Sequence, residues 1–196
     1  LKVGSWNVLF NLSRDLRMSE AFKIVLHADE FGDYAYHGTF AAEPEDDFSL
    51  ASLNCLKHYV GDLQWNSDAI WFPHQEIVDN VQLQNVDMLY FAGDQLYEGD
   101  IDQVDARSLE KLTFDYLYKW YRFYWSLGEL TRHLPSVSIP DDHDIYQGNV
   151  WGAGGRRAKA DKSRGLTAQD SGGYVHPVEF VNVVHETQTA HLPRGV

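Results

Sequence analysis

Val86-Asp87-Met88-Leu89-Tyr90-Phe91-Ala92-Gly93-Asp94-Gln95-Leu96-Tyr97-Glu98 is the stretch on which the reading of this chain turns. Its first six residues are mostly apolar and of strand length, as in a strand covered on both faces. Gly93 permits a tight turn, and Asp94 stands where the strand should end. The pattern recurs. The run 134–139 closes on Pro140-Asp141-Asp142-His143-Asp144, and the run 48–55 closes on Ser52-Leu53-Asn54-Cys55. Ligands of open α/β sheets bind at the carboxyl ends of the strands. Three such ends side by side predict a metal site capable of hydrolytic chemistry.

The segments between these runs have helical periodicity. Ile77, Val78 and Val81 give an apolar side to residues 74–84. Over residues 108–132, Leu109, Leu112, Phe114, Leu117, Trp120, Tyr121, Tyr124, Leu127 and Leu130 recur at threes and fours, with Ser108 as N-cap. Residues 177–189 predict a third helix, with Pro177 suited to its first turn. Alternation of strands and helices predicts an α/β fold in layers. Residues 48–196 form this domain. Residues 1–47 are a β-rich segment with short strands at 2–10, 22–27 and 34–40, a turn at Gly32-Asp33 and an acidic linker at 41–47. It is either the end of a preceding β-sandwich domain or an edge of the main one.

The composition narrows the class of protein. The 196 residues are 44% hydrophobic and 14% aromatic, enough for one core with a small appendage. A formal net charge of −13 opposes general binding to nucleic-acid backbones. The single cysteine excludes a disulfide within the chain. No run approaches the roughly 18 apolar residues of a membrane-spanning helix. No leader is visible, and the first and last residues, Leu1 and Val196, read as the ends of a fragment. Oligomeric state is not legible.

Each candidate residue has a plainer alternative. Asp94 is either a ligand or an exposed turn residue. Asp141, Asp142 and Asp144 crowd His143, which favours a bound cation, or they form a solvated acidic turn. Cys55 is a softer metal ligand beside the other strand ends, or an inert buried thiol. Asn149 is a neutral oxygen ligand or a turn residue. Arg156 and Arg157, in a basic loop reaching Arg164, clamp an anionic substrate or are merely solvated.

Together these motifs resemble the alkaline phosphatase D (PhoD-like) branch of the calcineurin-like metallophosphoesterases. Residues 93–98 are similar to its Gly-Asp-x-x-Tyr-Glu motif, residues 141–144 to its Asp-Asp-His-Glu/Asp motif, and residues 52–55 to its Ala-Ser-Cys strand end. The resemblance covers residues 48–195. It implies a layered α/β sandwich, incomplete at the C-terminus of this chain, with a di-metal site of iron and calcium. It also implies hydrolysis of phosphate monoesters or diesters by a metal-bound hydroxide, in a periplasmic or extracellular setting. Cys55, Asp94 and Tyr97 would hold the iron. Asp94 would bridge to a second metal held by Asp142, with Asn149 as a further ligand. His143 would face the phosphoryl group. Additional aspartate and histidine ligands are expected beyond residue 196, so this chain would carry only part of the site, and an inactive fragment of the phosphatase is one alternative reading. The alternative from another class is a non-catalytic calcium- or glycan-binding domain.

Overall fold

The computed structural model describes residues 8, 10, 19–57, 74–99, 104–148, 162–165 and 173–192. The expected strand at 2–10 lies almost wholly outside them. Three short strands, β3 (Leu50–Leu53), β4 (Met88–Phe91) and β5 (Ser136–Ser138), form a parallel sheet in the order β3-β4-β5. In register, Leu53 lies beside Phe91, and Phe91 beside Ser138. Parallel strands need crossovers, which here carry the helices. The helix α1 (Gln75–Gln84) precedes β4, and α2 (Leu109–Ser126) and α3 (Gly128–Thr131) lie between β4 and β5. The last helix, α4 (Val178–Thr189), packs on α2 and β5. The chain is thus a mixed α/β protein. No helix among the described residues is long and apolar enough to cross a membrane.

The core forms on one face of β4. Leu89 and Phe91 are fully buried, and the Phe91 ring meets Phe123 of α2 edge-on at 5.1 Å. Burial of each such side chain contributes about 1.5–3 kcal/mol. Met88 and Tyr90 on the other face are only half-buried. The strand is thus covered on both faces, as expected, but more deeply on the Leu89 and Phe91 face. Among the described residues, β4 alternates.

The single helix expected over 108–132 is corrected. Ser108 does cap it, its Oγ accepting the Lys111 N–H at 3.2 Å. The helix then breaks at Leu127, whose ψ is 11°. Ser126 Oγ donates to the Phe123 carbonyl at 2.7 Å, and Gly128, a poor helix former, follows. The apolar stripe holds in part. Leu112, Leu127 and Leu130 are buried, and Leu117, Trp120 and Tyr124 pack against the core, but Leu109, Phe114 and Tyr121 are exposed, while Tyr116, Phe123 and the charged Lys119 also face the interior.

The expected strands at 22–27 and 34–40 pair as an antiparallel hairpin of β1 (Ala21–Ala28) and β2 (Gly32–Thr39). Its turn lies at residues 29–31, just before the expected Gly32-Asp33. A lone hairpin is marginal in water. This one docks on the segment after α3, where the Thr39 N–H donates to the Arg132 carbonyl at 2.9 Å and Thr39 Oγ1 lies 2.8 Å from His133 Nδ1.

His74 precedes α1 in a left-handed conformation (φ 60°) and is 7% exposed. Burial pushes its imidazole down to about 4. The unfolded chain therefore takes up this proton near pH 6.5, while the folded chain resists until about pH 4. Stability contributed by His74 is present above the unfolded value and lost as pH falls toward the folded one. The difference is about 2 kcal/mol between pH 7.5 and pH 5. Urea unfolding at these two pH values should show wild type losing that much more stability than His74→Gln. Equal losses in the two proteins would remove His74 from the account.

Candidate metal centre

The three strand ends are joined by backbone hydrogen bonds that continue the sheet beyond its strands. Ala92 N–H donates to the Leu53 carbonyl at 2.8 Å, and Cys55 N–H donates to the Gly93 carbonyl at 3.3 Å. Leu56 N–H donates to the Asp94 carbonyl, and Ile139 N–H to the Phe91 carbonyl, both at 3.0 Å. Cys55 and Asp94, first after their strands in the site, both adopt positive φ (54° and 55°). Non-glycine residues rarely adopt this region, and the surrounding hydrogen bonds hold them there. Gly93 takes φ 103°, and a Cβ on it would lie 2.5 Å from Asp141 Cβ. Glycine is therefore required twice over, for its dihedral and for the approach of the β5 loop.

Asp144 joins the β4 and β5 loops. It is completely buried, and its carboxylate accepts four hydrogen bonds. One oxygen accepts from Asp94 N–H at 2.8 Å and Asp141 N–H at 2.9 Å. The other accepts from Leu96 N–H at 3.1 Å and Gln188 Nε2 at 3.0 Å. Burial pushes its carboxyl up to about 6, against the pull of these donors. The solvated-turn reading of residues 141–144 is thereby corrected, and Asp144 is not available as a ligand. The α4 residue Gln188 is buried and also accepts from Gln95 Nε2 at 2.8 Å.

With its backbone so fixed, Asp94 presents a buried carboxylate with two occupied sides. Its Oδ2 accepts from Tyr97 Oη at 3.0 Å and from Cys55 Sγ at 3.5 Å. Its Oδ1 accepts from His143 N–H at 3.3 Å. That N–H is shared with Asp142 Oδ1 at 3.0 Å, so two carboxylates meet on one donor. Asp94, Asp142 and His143 each offer one ligand atom, all within 4.8 Å of one another, and together can hold a metal ion. Cys55 is exposed rather than buried, which removes the inert-core reading of this thiol.

The charges in the site reflect the crowding. Burial first, then the hydrogen bond with Cys55 and the Asp94 charge, raise the Tyr97 phenol above its usual range. Burial and Asp94 raise the Asp142 carboxyl. For His143, burial acts downward, but the hydrogen bond and charge of Glu98, with Asp94 and Asp142, raise the imidazole overall. A cation would relieve the repulsion among the acidic groups. Around it the donors range from hard carboxylate oxygens to the softer Cys55 thiol.

His143 sits in a single 3-10 turn (His143–Ile145) and packs on the Tyr97 ring at a tilt of 32°, with centroids 4.3 Å apart. Its Nδ1 lies 2.8 Å from Glu98 Oε2. Sequence reasoning assigned no role to Glu98, although it closes the Asp94 motif. It also missed Asp144 as a clamp, because strand-end carboxylates look alike until burial separates them. Asn149, Arg156 and Arg157 lie outside the described residues. His191, one of several histidines without metal spacing, accepts the Ser138 N–H through Nε2 at 3.1 Å.

No protein-family model matches the chain, and no curated protein sequence does. The geometry therefore carries the functional argument. Asp144→Asn preserves shape but turns an amide NH2 toward backbone N–H donors. It should cost about 2–4 kcal/mol and lower the affinity for added divalent metal, read by thermal unfolding and calorimetric titration. Unchanged stability would show that the four hydrogen bonds do not hold the loops.

Proposed function

We propose that the strand-end cluster is the metal centre of a metal-dependent phosphoesterase, in a layered sandwich of the PhoD-like metallophosphoesterase kind. The observation that carries this reading is the two-sided Asp94 carboxylate. Cys55 and Tyr97 share one oxygen, and the His143 N–H shared with Asp142 meets the other. This is the layout of a bridging ligand. Cys55, Asp94 and Tyr97 would hold iron, and Asp94 with Asp142 a second ion such as calcium. When bound, the metals supply positive charge for the phosphoryl oxygens and acidify water.

The side chains account for the remaining chemistry. His143 holds its Nδ1 proton toward Glu98, which fixes the ring plane and leaves Nε2 for substrate. Nε2 is then placed to hydrogen-bond a phosphoryl oxygen or to exchange a proton with the leaving alkoxide. Water attacks phosphorus, the ester P–O bond breaks, and an alcohol and a phosphate (or, from a diester, a phosphomonoester) leave. Tyr97 packs against His143 and limits its rotation. The substrate class is a small phosphate ester.

A second reading, a glycan-binding domain, has one observation in its favour. An open groove of about 740 Å3 between the hairpin and α2 is lined by Tyr34, Tyr36, Tyr121, Tyr124, Trp125 and Arg132, among others. Aromatic faces with polar groups at the rim suit sugar rings. Oligosaccharide binding lost in Trp125→Ala, in protein without esterase activity, would favour it.

For the lead reading, p-nitrophenyl phosphate hydrolysis is measured on the full-length protein loaded with iron and calcium. Asp94→Asn should lower kcat/KM by roughly 100-fold or more. Chelation should abolish turnover, and returning the metals should restore it. Hydrolysis by Asp94→Asn at the wild-type rate would overturn the assignment.

A further inference from the structure

Lys119 is a charged residue in the middle of α2, yet it is 1% exposed. Long cations are rarely buried unless paired. Its Nζ lies 2.9 Å from Asp115 Oδ2, one helical turn earlier. It also donates to the main-chain carbonyl of Glu98 at 3.0 Å and sits over the Tyr146 ring, 4.8 Å from the centroid. Tyr146 in turn donates its hydroxyl to the same Asp115 oxygen at 2.6 Å.

These contacts reach both halves of one pair. Glu98 is the residue whose carboxylate meets His143 Nδ1. Tyr146 ends the 3-10 turn that carries His143, in a left-handed conformation (φ 58°). Its N–H closes that turn by donating to the His143 carbonyl at 2.9 Å. One buried ammonium thus grips the backbone of the acceptor and the aromatic ring that anchors the donor's turn. A neutral side chain of similar length would fill the space and hold neither.

We propose that Lys119, with Asp115 as counter-ion, is a positioning residue that sets the spacing between Glu98 and His143 and so fixes the His143 tautomer. It touches no ligand atom of the metal cluster and acts only through these two elements. The catalytic consequence rests on the phosphoesterase reading above, whereas the effect on the tautomer does not.

The test compares wild type with Lys119→Met and with Lys119→Met/Asp115→Asn. The double variant leaves no unpaired charge behind, which guards against simple misfolding. In metal-free protein, long-range 1H–15N spectra read the tautomer of neutral His143. Wild type should show the Nδ1–H form, and the double variant should move toward the Nε2–H form that free imidazoles favour. In metal-loaded full-length protein, kcat for p-nitrophenyl phosphate should fall about tenfold with KM nearly unchanged. A merely structural lysine would lower thermal stability and leave both readouts in place. An unaltered tautomer in the folded double variant overturns the proposal, whether or not the protein hydrolyses phosphate esters. Absence of hydrolysis in metal-loaded full-length wild type, with the tautomer shifted as expected, overturns only the phosphoesterase reading.

Discussion

A single buried carboxylate holds the candidate centre together. Asp144 takes the N–H groups of Asp94, Leu96 and Asp141 and the side chain of Gln188 onto its two oxygens. These donors come from the loop after β4, the loop after β5, and α4. A fully desolvated carboxylate is costly unless its acceptor sites are filled. Here the burial that raises its carboxyl to about 6 is opposed by two donors on each oxygen. Loss of Asp144 would remove the side-chain link between the backbones of Asp94 and Asp141.

The sheet brings these loops within reach. Parallel order places the three strand ends on one edge, and the hydrogen bonds from Ala92, Cys55 and Leu56 carry the alignment past the strands. That continuation holds Cys55 and Asp94 in left-handed backbone conformations. A left-handed non-glycine residue is mildly strained, on the order of 1 kcal/mol or more. In return, the side chains of Cys55 and Tyr97 converge on the Asp94 carboxylate. Gly93 makes the convergence possible by leaving room for Asp141.

Much of this was legible in the sequence, because it rests on local signals. The apolar run before Gly93, the cap at Ser108 and the turn chemistry around Pro140 mark element type and order with no reference to the rest of the chain. The legible part includes Cys55, Asp94, Tyr97, Asp142 and His143 as neighbours. What was not legible depends on which side of an element the core selects. Periodicity on α2 put Phe114 and Tyr121 inside, but the interior takes Tyr116 and Lys119. Lys119 was invisible because its partners, Asp115 apart, come from the Glu98 loop and the turn at Tyr146. The three aspartates of residues 141–144 share one chemistry in sequence and separate only through burial.

That separation explains how so much negative charge is held at one sheet edge. Asp141 lies against Gly93 and accepts the Asp142 N–H at 2.9 Å, so its charge is spent on the turn. Asp144 is internal and satisfied by four donors. Only Asp142 is left to face Asp94, and its carboxyl and the Tyr97 phenol are both raised by the crowding. The scaffold does not relieve this repulsion. Hydrogen bonds to Asp144 and the Lys119 contacts hold the backbone in place while Asp94 and Asp142 remain close. A cation entering such a cluster gains the attraction of groups that need not be reorganised, which is how outer-shell contacts strengthen a metal site. The same rigidity leaves His143 with Nδ1 already committed to Glu98.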